Sequence, residues 1–176
     1  LEKIRTFETL ENHQLFYGRH LGNYYFIMLF PKTFSYELFE MYLPGSSWNP
    51  SSEIAASTDY EDFFGRTSYA SNTVGGYYAA RLGILEYLAK IKKQASVLAI
   101  RLETPEYWAA LGVWVVRAAA RKTMISNPIN FDTKEQMLDF TKIFMNKKFK
   151  YDIDNIYGKS ILLNKILKQK TLKDFG

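Results

Sequence analysis

Two dense apolar runs stand near the start of the chain, NYYFIMLFP (23–31) and SYELFEMYLP (35–44), and the second alternates, with Tyr36 and Leu38 set against Glu37 and Glu40. Period-two alternation places successive side chains on opposite faces of a strand. Only KTF and the flanking Pro31 lie between the runs, so the pattern predicts an antiparallel strand pair. QLFYGRHLG, just ahead of them, predicts a third strand. From 45 to 72 the composition turns to Ser, Asn, Pro, Thr, Asp and Gly, which predicts a long irregular loop.

The period then switches to 3.6. In GGYYAARLGILEYLAKIKKQ, the residues Tyr77, Ala80, Ile84, Leu88 and Ile91 fall on one helical face. Gly75 and Gly76 open this helix, and Lys90, Lys92 and Lys93 close it, in the order that suits the helix dipole. ASVLAIRLE (95–103) predicts a buried strand. GVWVVRAAARKTM (112–124) predicts a helix, because the alanine run and Arg117, Arg121 and Lys122 outweigh the local valines. DTKEQMLDFTKIFM predicts another, with Asp132 or Thr133 as its N-cap, and GKSILLNKILK predicts a last amphipathic helix before the tail QKTLKDFG. The whole reads as a mixed α+β chain: antiparallel strands near the N-terminus, helices around a small sheet, and a helical C-terminus with a flexible tail. Residues 1–168 form a single globular domain in this reading, and 169–176 the tail.

Composition narrows the class. At 176 residues, with 13 Tyr and 13 Phe, the chain is long and apolar enough to bury one sizeable core. It has no cysteine, hence no disulfide and no thiolate metal site, and two histidines are too few for a histidine zinc site. The longest apolar run is far short of the roughly 20 residues a membrane helix needs, so the expectation is a cytoplasmic protein without a membrane partner. Charge is informative by position. Residues 1–132 carry 13 Lys and Arg against 13 Asp and Glu, whereas 133–176 carry 10 Lys against 5 acids. The net +5 therefore lies in the last quarter, which points to an acidic partner, either nucleic acid or an acidic protein surface.

Four arginines stand on apolar ground: Arg66, Arg81, Arg101 and Arg117. A buried guanidinium needs a carboxylate, a phosphate or an exit to solvent. Glu86, Glu103 and Glu106 are candidate internal partners. With the amides of Gly75 and Gly76 at a helix start, the four also form a candidate pocket for an anion or nucleotide. The acids Asp59, Glu61 and Asp62 offer an alternative, a magnesium site for phosphodiester cleavage. No Ser-His-Asp set or other catalytic constellation is recognisable, so the residues leave open whether the chain is an enzyme.

The tail carries its own signal. Gln169, Leu172 and Phe175 follow the spacing of the sliding-clamp binding box, the PIP motif. One tight turn brings the aliphatic and aromatic side chains together as a plug for an apolar pocket, while the glutamine hydrogen-bonds beside it. Lys168, Lys170 and Lys173 suit an acidic clamp surface. Gly176 stands where a second aromatic is usual.

At LPGSSW, FFGRTSYA, TVGGYYAARLGILEYL, KKQASVLAIRLETPEYWAALGVWVVR and the final QKTLKDFG, the chain resembles the C-terminal part of the archaeal Nre family. That resemblance implies a DNA-repair protein which binds the archaeal sliding clamp, PCNA, through Gln169, Leu172 and Phe175. Family members resemble one another in a longer N-terminal region as well, often with a four-cysteine zinc module. This stretch contains no cysteine, so no cofactor is expected within it and zinc would belong upstream. Three functions remain as expectations: a repair factor recruited to PCNA whose globular part binds DNA or a nucleotide, a metal-dependent nuclease or nucleotide-processing enzyme, and a scaffold whose arginines are all paired internally.

Overall fold

A computed structural model of the chain describes residues 1–73, 75–107 and 112–168. The elements run α1 (Glu2–Arg5), β1 (Glu8–Thr9), β2 (His13–His20), β3 (Asn23–Phe30), β4 (Ser35–Tyr42), β5 (Ala55–Glu61) and α2 (Gly76–Ile91). They continue with β6 (Lys93–Gln94), β7 (Ser96–Glu103), α3 (Val113–Met124), β8 (Ile129–Phe131), α4 (Lys134–Phe149), α5 (Asp154–Lys159) and α6 (Ile161–Lys168). The class is mixed α+β. Six strands form one sheet in the order β5-β4-β7-β3-β2-β8, and β1 pairs with β6 in a small parallel ladder beside it.

β3 and β7 are buried at every position. Continuous apolar strands of this kind need cover on both faces, and they have it. On one face Phe16, Ile27, Leu38 and Val97 pack beneath α2 and α3; on the other Phe26, Met28, Phe39 and Ile100 pack beneath α4, α5 and α6. Of the α2 positions that the helical period singled out, Tyr77, Ala80, Ile84 and Leu88 are buried there and Ile91 is partly buried. Thr133, rather than Asp132, caps α4, and its hydroxyl and the Gln136 side chain form a reciprocal capping box.

Two expectations need correction. β3 and β4 are not partners: β7 lies between them, antiparallel to β3 and parallel to β4. The link 31–34 is long enough to step over one strand at about 4.8 Å per strand, and β7 satisfies the hydrogen bonds of both neighbours. Residues 45–72 are not one irregular loop, because β5 forms within them and pairs with β4. The two acids of β4 do not face water. Glu37 and Glu40 are buried on opposite faces, and each has a local reason to be there.

Glu37 completes the cap of α6 that the Ser160 hydroxyl begins by accepting from the Leu163 N–H at 3.0 Å. Its carboxylate accepts hydrogen bonds from the backbone N–H of Ile161 and Leu162, each at 3.0 Å, and from the Ser160 hydroxyl. The otherwise orphaned amides of a helix start are thereby satisfied by a strand residue. Burial raises the Glu37 carboxyl above its usual range, and these donors oppose the rise. The outer edge of β5 is blunted in a related way: the carbonyl of Thr58 accepts from the Asn72 amide at 3.0 Å, and that of Tyr60 from Arg66 at 2.8 Å. An edge covered by side chains offers no template to another strand. Among the described residues, no helix is long and apolar enough to cross a membrane.

Candidate nucleic-acid interface

β4 and β7 run parallel and end side by side, and α2 and α3 begin close to those ends. Ligand crevices form where parallel strands finish against helix starts. Two clefts flank the first turns of α2.

The first, of about 530 Å³, is lined by α1, the 62–69 loop and the outer side of α2. Three arginines reach it: Arg5, Arg66 and Arg81. Arg66 shapes the loop, donating to the carbonyls of Tyr60, Ser68 and Tyr69 while lying 3.2 Å from Asp59 and over the ring of Tyr77. Arg81 donates from Nε to Glu61 at 2.5 Å. Asp59 and Glu61 are buried, and the Arg66 and Arg81 side chains paired with them are only partly exposed, at 18% and 19%. Arg5 stacks over Phe63, and among the described residues no carboxylate lies within ion-pair distance of it. Its Nε is buried without a hydrogen-bond partner. Exposed aromatic faces complete the cleft: Phe64, 86% exposed, and the tilted pair Tyr69 and Tyr78.

The second cleft, of about 400 Å³, opens on the other side of the same helix start. Its floor is an ion cluster. Arg101, on β7, donates to Glu40 at 2.8 Å, to Glu103 at 2.9 Å and to the Asn23 amide oxygen at 2.7 Å. Strand parity explains the assembly, since register pairs Arg101 with Tyr25 on one side and with Glu40 on the other. Asn23 is placed by the two-residue β2–β3 turn, in which Leu21 and Gly22 both take positive φ. Gly22 is required there: a Cβ would lie 2.3 Å from the backbone nitrogen of Tyr107.

Burial raises the carboxyls of Glu40 and Glu103, against the pull of Arg101 on each. Tyr42 donates its hydroxyl to Glu40 at 3.1 Å and is itself pushed up to about 12, by burial first and then by Glu40. Burial works against the charge of Arg101, but Tyr25, Glu40, Tyr42 and Glu103 overcome it and hold the guanidinium protonated. Trp48 stands at the lip, 64% exposed.

The sequence candidates thus divide. Arg66 and Arg81 share the first cleft; Gly76 and Arg101 share the second. Gly75 is the N-cap of α2. Beside Gly76 the space is taken by Glu40, whose Oε1 would lie 2.0 Å from an added Cβ, so an internal carboxylate occupies the place where a phosphate would meet the helix start. Arg117 is exposed on α3 and lines neither cleft; it acts electrostatically on Glu86, which pairs with Arg121. Asp59 and Glu61 are engaged by arginines, and Asp62 accepts from the backbone of Phe64. Among the described residues no cluster of His, Cys, Asp or Glu is placed to hold a metal. Gln169, Leu172 and Phe175 lie outside the described residues.

Sequence reasoning missed Arg5, Glu40 and the aromatic rims. The one available signal was Trp48, a tryptophan set in a stretch of Ser, Asn and Pro where no core could use it. Arg5 gave no signal, because the four-residue α1 is too short to show a period.

Comparison with known proteins adds the family. A model described as "Archaeal Nre, C-terminal" matches residues 61–175, and one described as "Archaeal Nre, N-terminal" matches 1–49. The resemblance therefore extends beyond the C-terminal part, and the two regions interleave in one sheet: β2, β3 and β4 come from the first, and β7 and β8 from the second. The chain is 35% identical to DNA repair protein NreB of Archaeoglobus fulgidus over 176 residues, 99% of this chain and 43% of the relative. It is 39% identical to DNA repair protein NreA of the same organism over 136 residues, 77% of this chain and 34% of the relative. With NreA of Haloferax volcanii it shares 36% over 121 residues, 68% of this chain and 29% of the relative. It spans less than half the length of these relatives. No solved structure matches the chain. On the extent of the two family matches, the chain belongs to the archaeal Nre family.

Proposed function

We propose that the chain is part of a DNA-repair factor that holds a DNA strand in the Arg5, Arg66 and Arg81 cleft and is brought to its site of action by PCNA. The observation that carries the reading is that cleft: three arginine side chains line it, two of them paired with buried carboxylates, next to Phe64, Tyr69 and Tyr78. Arginine edges suit phosphate oxygens. Flanking aromatic faces suit unpaired bases, whatever their identity. The repair names of the relatives support the biological setting. Gln169, Leu172 and Phe175 would provide the tether to the clamp, and the lysine excess of the last quarter would favour its approach.

The test has two arms. A labelled single-stranded oligonucleotide, followed by fluorescence anisotropy, binds the wild-type chain and binds Phe64→Ala at least about fivefold more weakly, the low end of one lost stacking contact. In the second arm PCNA binds the wild type and loses affinity for the Leu172→Ala, Phe175→Ala double variant. Equal affinities in either arm remove that half of the account. One specific observation favours a rival: Arg66, Arg81 and Arg101 all contact internal carboxylates, as a scaffold without a ligand would have them. A scaffold predicts no oligonucleotide binding at all.

A further inference from the structure

We propose that the second cleft is a base-reading pocket, which accepts an amine-bearing nucleobase turned out of the strand held in the first. This rests on the nucleic-acid reading above and goes beyond it by naming what the pocket takes and how it discriminates.

Charge and shape separate the two clefts. The first is lined by three arginines, Arg5, Arg66 and Arg81, against two carboxylates, Glu2 and Glu61. In the second, the single cation Arg101 faces two carboxylates, Glu40 and Glu103, so among the described residues the cluster holds more negative than positive groups. Arg101 donates from Nε, Nη1 and Nη2 to internal oxygens, and two of those partners are carboxylates that offset its charge. Glu40 lies at the floor of the cavity and retains acceptor capacity, since a carboxylate has about four lone-pair sites. A phosphate entering here meets a carboxylate; an N–H donor meets an acceptor.

The walls select a flat group. Tyr42 and Trp48 both line the cleft, and an exposed tryptophan there gains nothing from water but offers a stacking face. A volume of about 400 Å³ suits one heterocycle and its sugar. Enzymes and readers that need access to a base edge take that base out of the stack into such a pocket. Here the first turns of α2 stand between the clefts, with Tyr78 and Arg81 on one side and Gly76 on the other. Phosphate and flanking bases on one side of a helix start, with the turned-out base on the other, is the arrangement this predicts. Cytosine and adenine carry an exocyclic amine to donate to Glu40. Thymine carries a carbonyl at that edge, which would leave Glu40 facing an acceptor.

The experiment titrates the chain with free cytidine, adenosine and thymidine, which lack phosphate, and reads intrinsic tryptophan fluorescence. The same protein is titrated in parallel with a single-stranded oligonucleotide. Cytidine and adenosine are expected to quench saturably, at concentrations about tenfold or more below thymidine, the equivalent of one unmade hydrogen bond. Glu40→Gln, which can donate as well as accept, narrows that preference. Ser57→Phe, which fills the cleft from β5 beside its cross-strand partner Glu40, removes nucleoside quenching and lowers oligonucleotide affinity by less than about tenfold. Should Ser57→Phe fail to fold, Trp48→Ala at the exposed lip serves instead. Oligonucleotide binding without nucleoside quenching, or quenching that ignores both cleft variants, overturns the pocket and leaves the strand-binding reading intact. Absence of both kinds of binding overturns the two together.

Discussion

Replacing Arg101 by methionine tests the ion cluster that underlies the second cleft. Arg101 is 4% exposed and is the counterion of two carboxylates exposed by 2% and 0%. Methionine fills much of the same volume, so the loss is mainly electrostatic: Glu40 and Glu103 stay buried without a cation. Removing one partner of such a cluster costs about 3–5 kcal/mol. For a chain of this size that is a fall in Tm of roughly 6–20 °C. The deficit should depend on pH with a definite sign. Burial already raises both carboxyls above 4.5, so the folded state holds their protons more tightly than the unfolded one. Their stability contribution is therefore fully present below pH 4.5 and is lost as pH rises through the raised folded values. Without Arg101 they rise further, so the deficit is largest near neutrality and shrinks as pH falls toward 4.5. Circular dichroism melts of wild type and variant between pH 4.5 and 8 measure this. A companion variant, Arg101→Met with Glu40→Gln and Glu103→Gln, should recover part of the loss, because no bare charge remains. A deficit under about 1 kcal/mol, or one that does not change with pH, would refute the reasoning.

Other consequences can be measured on the same preparations. Gly76→Ala drives a Cβ into Glu40 and should cost at least about 1–3 kcal/mol by urea denaturation; a neutral result would mean that Glu40 can leave Arg101 freely. Glu37→Ala strands the Ser160 hydroxyl and two backbone amides of α6, a loss of at least about 3 kcal/mol, with early hydrogen exchange at residues 161–163. Thr133→Ala removes the cap of α4 and should cost about 1 kcal/mol in the same denaturation. Burial lowers His13 below 6.5, so the unfolded chain takes up that proton first and stability falls as pH drops from about 6.5 through the folded value; His13→Asn should flatten this part of the pH–stability profile relative to wild type.

Helices α2, α3, α4 and α6 were legible from their period and from starts such as Gly75 or Thr133, whereas α1 and α5 are too short to show one. The positions of β2, β3, β4 and β7 were legible too, but those of the short β1, β6 and β8 and all the strand neighbours were not. β3 and β4 are adjacent in sequence with a short link, and nothing local shows that β7, more than fifty residues later, inserts between them. Tertiary pairing also gives Glu37 and Glu40 roles that no local pattern shows. One accepts from the start of α6 and the other binds Arg101. β5 was hidden because Ala55, Ala56 and Ser57 have little strand propensity and form a strand only by pairing with β4. For the site, the sequence correctly marked Arg66, Arg81 and Arg101 as needing partners, but it could not tell that α2 would part them into two clefts. Arg5 entered the first cleft through chain folding alone.

Strand binding by the arginine cleft is the central claim, and the salt dependence of single-stranded DNA affinity tests it most directly. The wild-type chain should bind with an affinity that falls steeply with salt, and Arg5→Gln, which breaks no internal ion pair, should reduce the log–log slope by about 0.7 for one lost phosphate contact. An unchanged slope in Arg5→Gln, or an affinity indifferent to salt, would contradict it.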